Sequence, residues 1–137
     1  MANLSNYTEG LIATWLAGGA MSTLPTTLYL DLYTTMPNME TGLSGTSICN
    51  TLIGSVRKTL NNTSNTIFYA STNTVKNNEI LIVNPALATV NNIIGFAIWT
   101  QATGGEMLYS GLLTTSVNVS AGESVRFAPN AMILTIE

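Results

Sequence analysis

Charged residues are scarce in this sequence, and histidine is absent. Only 8% of its 137 residues are Asp, Glu, Lys or Arg, whereas about 25% is typical of a soluble domain. The seven acids and four bases give a formal net charge of −3. Without histidine there is no Ser-His or Cys-His nucleophile and no Cys/His zinc motif, and Cys49 alone cannot form an internal disulfide. We therefore expect no metal, no cofactor and no enzyme activity.

Long apolar runs and clustered bases are missing as well. No apolar stretch reaches about 18 residues, so no membrane span is expected, and the first residues lack the basic region of a signal peptide. Four scattered bases do not form the basic surface with which proteins displace counterions from nucleic acid. We expect neither a membrane nor a nucleic acid as a partner.

Neutral hydrogen-bonding side chains are abundant instead. The chain has 15 Asn, 21 Thr and 11 Ser, about a third of its residues, and 46% of it is hydrophobic. A chain of this length can bury a core without a disulfide or a metal. We predict one domain over residues 1–137 whose surface consists mainly of amides and hydroxyls.

The first segment has the spacing of a helix, predicted over about residues 4–17. Asn6 followed by Glu9 resembles a capping box, and Gly18-Gly19 is a stop signal. This helix either closes one end of the core or docks on a neighbouring subunit. Trp15, like Trp99, is expected in the core. Apolar residues at three- and four-residue spacing form one face: Leu4, Tyr7, Leu11, Ile12 and Trp15.

The body, about residues 26–137, has the alternation of β-strands. Residues 27–34 place leucines on one face and Tyr29, Asp31 and Tyr33 on the other, which predicts one buried and one solvated side. A long polar loop, Thr35–Ser55, follows, and loops of this length are usually functional or mobile.

Further short strands are separated by turn signals, which is typical of an antiparallel β-sandwich or barrel. We therefore predict a mainly β fold with one N-terminal helix. The run Glu79–Val83 is expected to be buried on both faces. The strand segments are Val56–Leu60, Thr66–Tyr69, a hairpin of Ile93–Thr100 with Met107–Leu113, a second hairpin of Val117–Val119 with Ser124–Phe127, and a final strand Met132–Ile136.

Three stretches carry a family resemblance: residues 4–9 with the helix that follows, residues 28–38, and the C-terminal block 95–127 with its Gly104-Gly105 turn. In these stretches the chain resembles a family of small tailed-bacteriophage virion proteins, labelled either tail-fibre or head decoration (cement) proteins. The resemblance implies a structural role in the virion and a mostly β fold after an N-terminal helix. It implies no catalytic residue.

Two roles remain open. The first is a cement protein that clamps neighbouring capsid subunits and contacts the major capsid protein. The second is a tail-fibre or baseplate component that contacts tail proteins and can bind a receptor or glycan. A surface with few charges loses little solvation energy when a neighbour covers it, so both roles favour self-association, with a trimer as the expected state.

The interface candidates come from the helix, the first strand, the loop and the one basic pair. The helix and the loop together can supply the roughly 800 Å² per partner that a specific contact needs. Tyrosines pack in the core or on the sheet, line an interface, or stack on sugars. The basic pair lies at a solvated strand edge or forms an ion pair across a subunit boundary. The candidates are Leu4, Tyr7, Leu11, Trp15, Tyr29, Tyr33, Met36, Met39, Arg57 and Lys58.

Overall fold

Antiparallel strands are the main elements of the structure, a computed structural model that describes residues 2–23, 25–48, 57–61, 67–83, 86 and 88–136. One helix accompanies them in these ranges. The predicted mainly β fold with an N-terminal helix is confirmed. In chain order the elements are β1 (Ala2–Leu4), α1 (Asn6–Leu16), β2 (Thr27–Thr35), β3 (Thr46–Ser47), β4 (Lys58–Asn61), β5 (Phe68–Ser71), β6 (Thr74–Asn77), β7 (Leu81–Val83), β8 (Val90–Trp99), β9 (Met107–Val119), β10 (Val125–Phe127) and β11 (Ile133–Thr135).

The largest sheet has six strands in the order β1-β9-β8-β2-β3, with β4 also paired to β2. A two-stranded sheet, β10-β7, and a three-stranded sheet, β11-β6-β5, accompany it. Every strand pair in these sheets is antiparallel. The arrangement is sandwich-like.

The main core lies between the large sheet and the two smaller ones. Leu28, Leu30 and Leu32 of β2 alternate toward it and are all buried, as the period of two predicts. The small sheets contribute Phe68, Leu81, Val83, Val125, Phe127 and Leu134 to the same apolar cluster. The rings of Phe96 and Tyr109, from β8 and β9, meet edge to face at a centroid distance of 6.5 Å.

The opposite side of β2 differs from the prediction. Asp31 and Tyr33 were expected to face solvent, but both are buried and Tyr29 is half-buried. The reason is that a second cluster covers this side: Tyr33, Ala97, Trp99 and Met107, with Tyr29 and Met36 packed against them. β2 is therefore buried on both faces along most of its length.

Two further strand predictions are corrected. The run at β7 is buried on one face only, because Ile82 points outward between Leu81 and Val83. The second predicted hairpin does not form, because β9 extends to Val119 and β10 pairs with β7. The chain does turn at residues 121–123, but this turn carries it to the other layer.

Several sequence predictions concern residues outside the described ranges. These are Cys49, most of the second half of the Thr35–Ser55 loop, the start of the Val56–Leu60 strand, the first residue of the Thr66–Tyr69 strand, and the turns at 62–64 and 84–85. Within the described part of the loop, β3 pairs with the end of β2.

Candidate functional site

The first turn of α1 is fastened to β9. Ser5, not Asn6, is the N-cap: its hydroxyl accepts a hydrogen bond from the Thr8 N–H at 3.3 Å and donates one to the Met107 carbonyl. The Thr8 hydroxyl donates to the Leu108 carbonyl at 2.7 Å. The predicted cap was one residue too late, because Ser5 Oγ satisfies an N–H of the first turn while the Ser5 side chain is itself buried against β9.

The rest of α1 lies on the surface. None of its eleven residues is buried, and Trp15 and Leu16 are 54% and 73% exposed. The expectation that Trp15 belongs to the core is therefore wrong, and Leu4 lies in β1 rather than on a helix face. An isolated helix of about this length is only marginally stable. Its contacts with β9, and with any partner that covers it, therefore stabilise it.

An apolar groove runs between α1 and the sheet β11-β6-β5. Its volume is about 260 Å³. Leu11 and Ile12 form the helix side and Met21 stands at its rim, half exposed. None of the residues that line it is charged: Leu4, Thr8, Leu11, Ile12, Met21, Ser22, Leu28, Phe68, Val75, Leu108, Tyr109, Leu134 and Ile136.

The other side of the large sheet holds a polar network centred on Asp31, which is 2% exposed. One carboxylate oxygen accepts hydrogen bonds from the Leu32 N–H at 2.9 Å and the Ser47 hydroxyl at 2.6 Å. The other accepts from the Tyr33 hydroxyl at 3.1 Å and from Arg57 Nε at 3.2 Å. Four donors around one carboxylate offset the cost of burying its charge.

Arg57 joins this network to the β8–β9 turn. Its guanidinium lies 3.7 Å from the Trp99 ring centroid, and Nη1 donates to the carbonyls of Gln101 and Gly104 at 2.9 and 2.7 Å. The side chain is 12% exposed. Both interpretations of Arg57 made from sequence are thereby corrected: it is not a solvated edge residue, and its acidic partner, Asp31, belongs to the same chain.

Two buried tyrosines, one on each side of the large sheet, have a raised pKa. Burial raises the pKa of Tyr33, and the charge of Asp31 and its hydrogen bond raise this pKa further. Burial alone raises the pKa of Tyr109, on the groove side. Both rings are buried within their own chain, which agrees with packing rather than sugar stacking for these two rings.

One family matches almost the whole chain. The model of the family described as "Podophage GP4 fiber I protein gp80" matches residues 3–135. The chain belongs to this family. The resemblance to phage virion structural proteins is thereby confirmed, and membership of such a family implies a place in the virion. No curated protein matches the chain.

Within this family member, the ten interface candidates do not form one surface. Leu4 and Leu11 line the groove, and Trp15 follows on the same helix. Tyr7 instead lines a separate polar pocket with Glu40 and Glu106. Tyr29, Tyr33, Met36 and Arg57 belong to the opposite side of the large sheet. Tyr33 is buried within its own chain, so its ring is not available to a partner. Half-buried Met39 accepts a hydrogen bond from the Asn3 amide, and Lys58, next to Arg57, is half-buried in β4.

Sequence reasoning missed the floor of the groove. Val75 and Ile136 reach it because β6 pairs with β5 and β11, and no local pattern predicted that pairing. It also missed Asp31 as the centre of a network, although a lone acid within an apolar strand was the available signal.

The described residues give little support to a metal site or a membrane segment. They contain no group of three or more Cys, Asp or Glu that could hold a metal ion. Their one helix is too short to cross a membrane.

Proposed function

We propose that this protein is a non-catalytic component of a podophage tail fibre, which works through contacts with other tail proteins and with further copies of itself. The observation that carries the proposal is the family match, which covers residues 3–135 and whose description names a fibre protein. A match of this extent involves the whole β-rich body and α1 rather than one shared motif.

The same match favours the fibre role over the capsid cement role, which the sequence alone ranked first. The description of the family names a fibre and not a head decoration protein. Both roles use a subunit with few charges, so composition could not separate them. Family membership is what favours the fibre.

The structure supports a role in assembly by what it leaves exposed. α1 presents Trp15 and Leu16 to solvent, although large apolar residues are normally buried. The buried acid of the polar network, Asp31, is already occupied by four hydrogen-bond donors, so it is not a free general base. We therefore infer that the protein binds and does not catalyse.

Copy number and position in the virion test the proposal. Quantitative mass spectrometry of purified virions should give tens of copies or fewer, with the major capsid protein as the internal standard. Immunogold labelling should place them on the tail. Several hundred copies with label on the head would contradict the fibre role and restore the cement role.

A further inference from the structure

We propose that a second copy of this chain occupies the apolar groove, with Trp15 and Leu16 of one copy packed into the groove of the other. The inference rests on the proposed assembly role and names the surface through which copies associate. It follows from the size of the groove, the continuity of the helix face and the exposed area.

The groove fits a side chain better than a small-molecule ligand. Its volume of about 260 Å³ is below the roughly 300–1,000 Å³ of typical ligand pockets. The lining residues carry no charge, and the Thr8 hydroxyl among them already donates a hydrogen bond to the Leu108 carbonyl. The matching occupant is one or two apolar side chains.

The face of α1 that lines the groove continues past the end of the groove. Thr8, Leu11 and Ile12 line the groove, and Trp15 follows at the three- and four-residue spacing that keeps side chains on one face. Trp15 is nevertheless more than half exposed. One half of this apolar face is covered by its own chain, and the other half lacks a cover within the described residues.

The exposed area fits a small, reversible contact. Trp15, Leu16, Met21 and Ile136 are 41–73% exposed, which amounts to roughly 400 Å², since a buried aromatic side chain covers about 150–250 Å². Met21 and Ile136 also line the groove, so the areas of the patch and the groove overlap. A reciprocal contact therefore buries roughly 400 Å² on each copy, about half the standard size and in the range of weak, transient interfaces.

Both complementary parts lie on the same chain, which favours a second copy over a different protein. A protruding apolar patch and an apolar groove on one molecule are the elements of a self-complementary interface. Glu9 is the one charged residue of α1, so like-charge repulsion between copies is small.

Sedimentation of the full-length chain tests the inference. The wild type is compared with Leu16→Glu, which changes the patch, and Met21→Glu, which changes the rim of the groove. We expect the wild type to form a dimer or closed oligomer at about 1–100 µM, and each variant to weaken association at least about 30-fold, the effect of an interface hot spot.

Leu112→Glu is the matched control. Leu112 of β9 is 50% exposed, similar to Met21, and does not line the groove. This variant should associate like the wild type. Because Leu16 is 73% exposed, Leu16→Glu should fold normally, and circular dichroism of each variant checks this.

Photo-crosslinking identifies the contact without weakening it. Benzoylphenylalanine in place of Trp15, in a mixture of ¹⁵N-labelled and unlabelled chains, should link residue 15 of one copy to groove peptides of another. A wild type that stays monomeric, an oligomer that survives both Glu substitutions, or crosslinks only outside the groove would overturn the inference. These results are obtained on the purified chain, so they are separable from the tail position, which is measured on virions.

Discussion

The two sides of the large sheet differ in what they bury and what they expose. On the Asp31 side, a carboxylate is buried and accepts hydrogen bonds within one chain from Ser47, Tyr33 and Arg57. On the groove side, apolar side chains of α1 and the C-terminal strand remain exposed. The comparison shows that a scarcity of charge does not mean that charge is unimportant here. One acid and one base are used to fix the fold, and the exposed helix is left almost uncharged for contacts.

Asp31→Ala should have the largest effect on this comparison. It leaves Arg57 beside Trp99 without its acidic partner, and removing one member of a buried ion pair costs about 3–5 kcal/mol. Urea unfolding measures the loss of stability. The exposed acid in Glu9→Ala is the control and should change stability by less than about 0.5 kcal/mol. Equal losses in the two variants would refute the structural role of the network.

Alanine variants of the two tryptophans compare how much each side of the large sheet contributes to stability. Trp99 is 7% exposed, and Trp99→Ala should cost about 3–5 kcal/mol through the cavity that it leaves. Trp15→Ala should cost less, about 1–2 kcal/mol at concentrations where the chain is monomeric, because more than half of its side chain is exposed there.

At higher concentration Trp15→Ala should lose more, since association stabilises only the folded chain. Thermal melts at several protein concentrations measure this. A melting temperature of the wild type that does not depend on concentration would count against a partner for Trp15.

One substitution should act in opposite directions at two glycines. Gly42 has φ +72°, and a Cβ there would lie 2.7 Å from Cη2 of Trp99, so Gly42→Ala should destabilise the polar side by about 1–3 kcal/mol. Gly10 lies in α1, where an added Cβ would meet no packed neighbour within 4 Å. Gly10→Ala should therefore stabilise by about 0.4–1 kcal/mol. Chemical denaturation of both variants provides the test.

Alkaline pH should weaken the fold through Tyr33 and Tyr109. Both have a raised pKa when folded, so above about pH 10 the unfolded chain loses protons that the folded chain keeps. Stability should then fall by up to about 1.4 kcal/mol per pH unit for each tyrosine. It is unaffected by these groups below that pH.

Phenylalanine variants separate the two rings. Each variant should remove the contribution of one tyrosine to the fall in the free energy of unfolding above about pH 10. Unfolding experiments between neutral and high pH measure this. Tyr33→Phe should also lower stability at pH 7 by about 1–3 kcal/mol, because it removes a hydrogen bond to a buried carboxylate. A larger loss at pH 7 in Tyr109→Phe would contradict the assignment of the polar network to Tyr33.

Local pattern was sufficient for some elements and not for others. The alternation of leucines predicted β2, and the Gly104-Gly105 turn predicted the β8–β9 hairpin, because strand period and turn chemistry are local properties. The predicted pairing of β10 with the end of β9 was wrong because strand pairing is decided over long sequence separations. The predicted exposure of Asp31 was wrong for the same reason. The residues that cover it, 47, 57 and 101, lie 16 or more positions away in the sequence.

The sequence by itself determined a β-rich chain with an N-terminal helix, few charges and no histidine-based chemistry, since periodicity and composition report these properties directly. The tertiary structure alone decided which side of each element is covered. It buried the acid of β2, paired it with Arg57 and left Trp15 exposed beside an apolar groove. The physical reason is that burial depends on what the rest of the chain brings to each face, and strands distant in sequence supply both the cover over Asp31 and the floor of the groove.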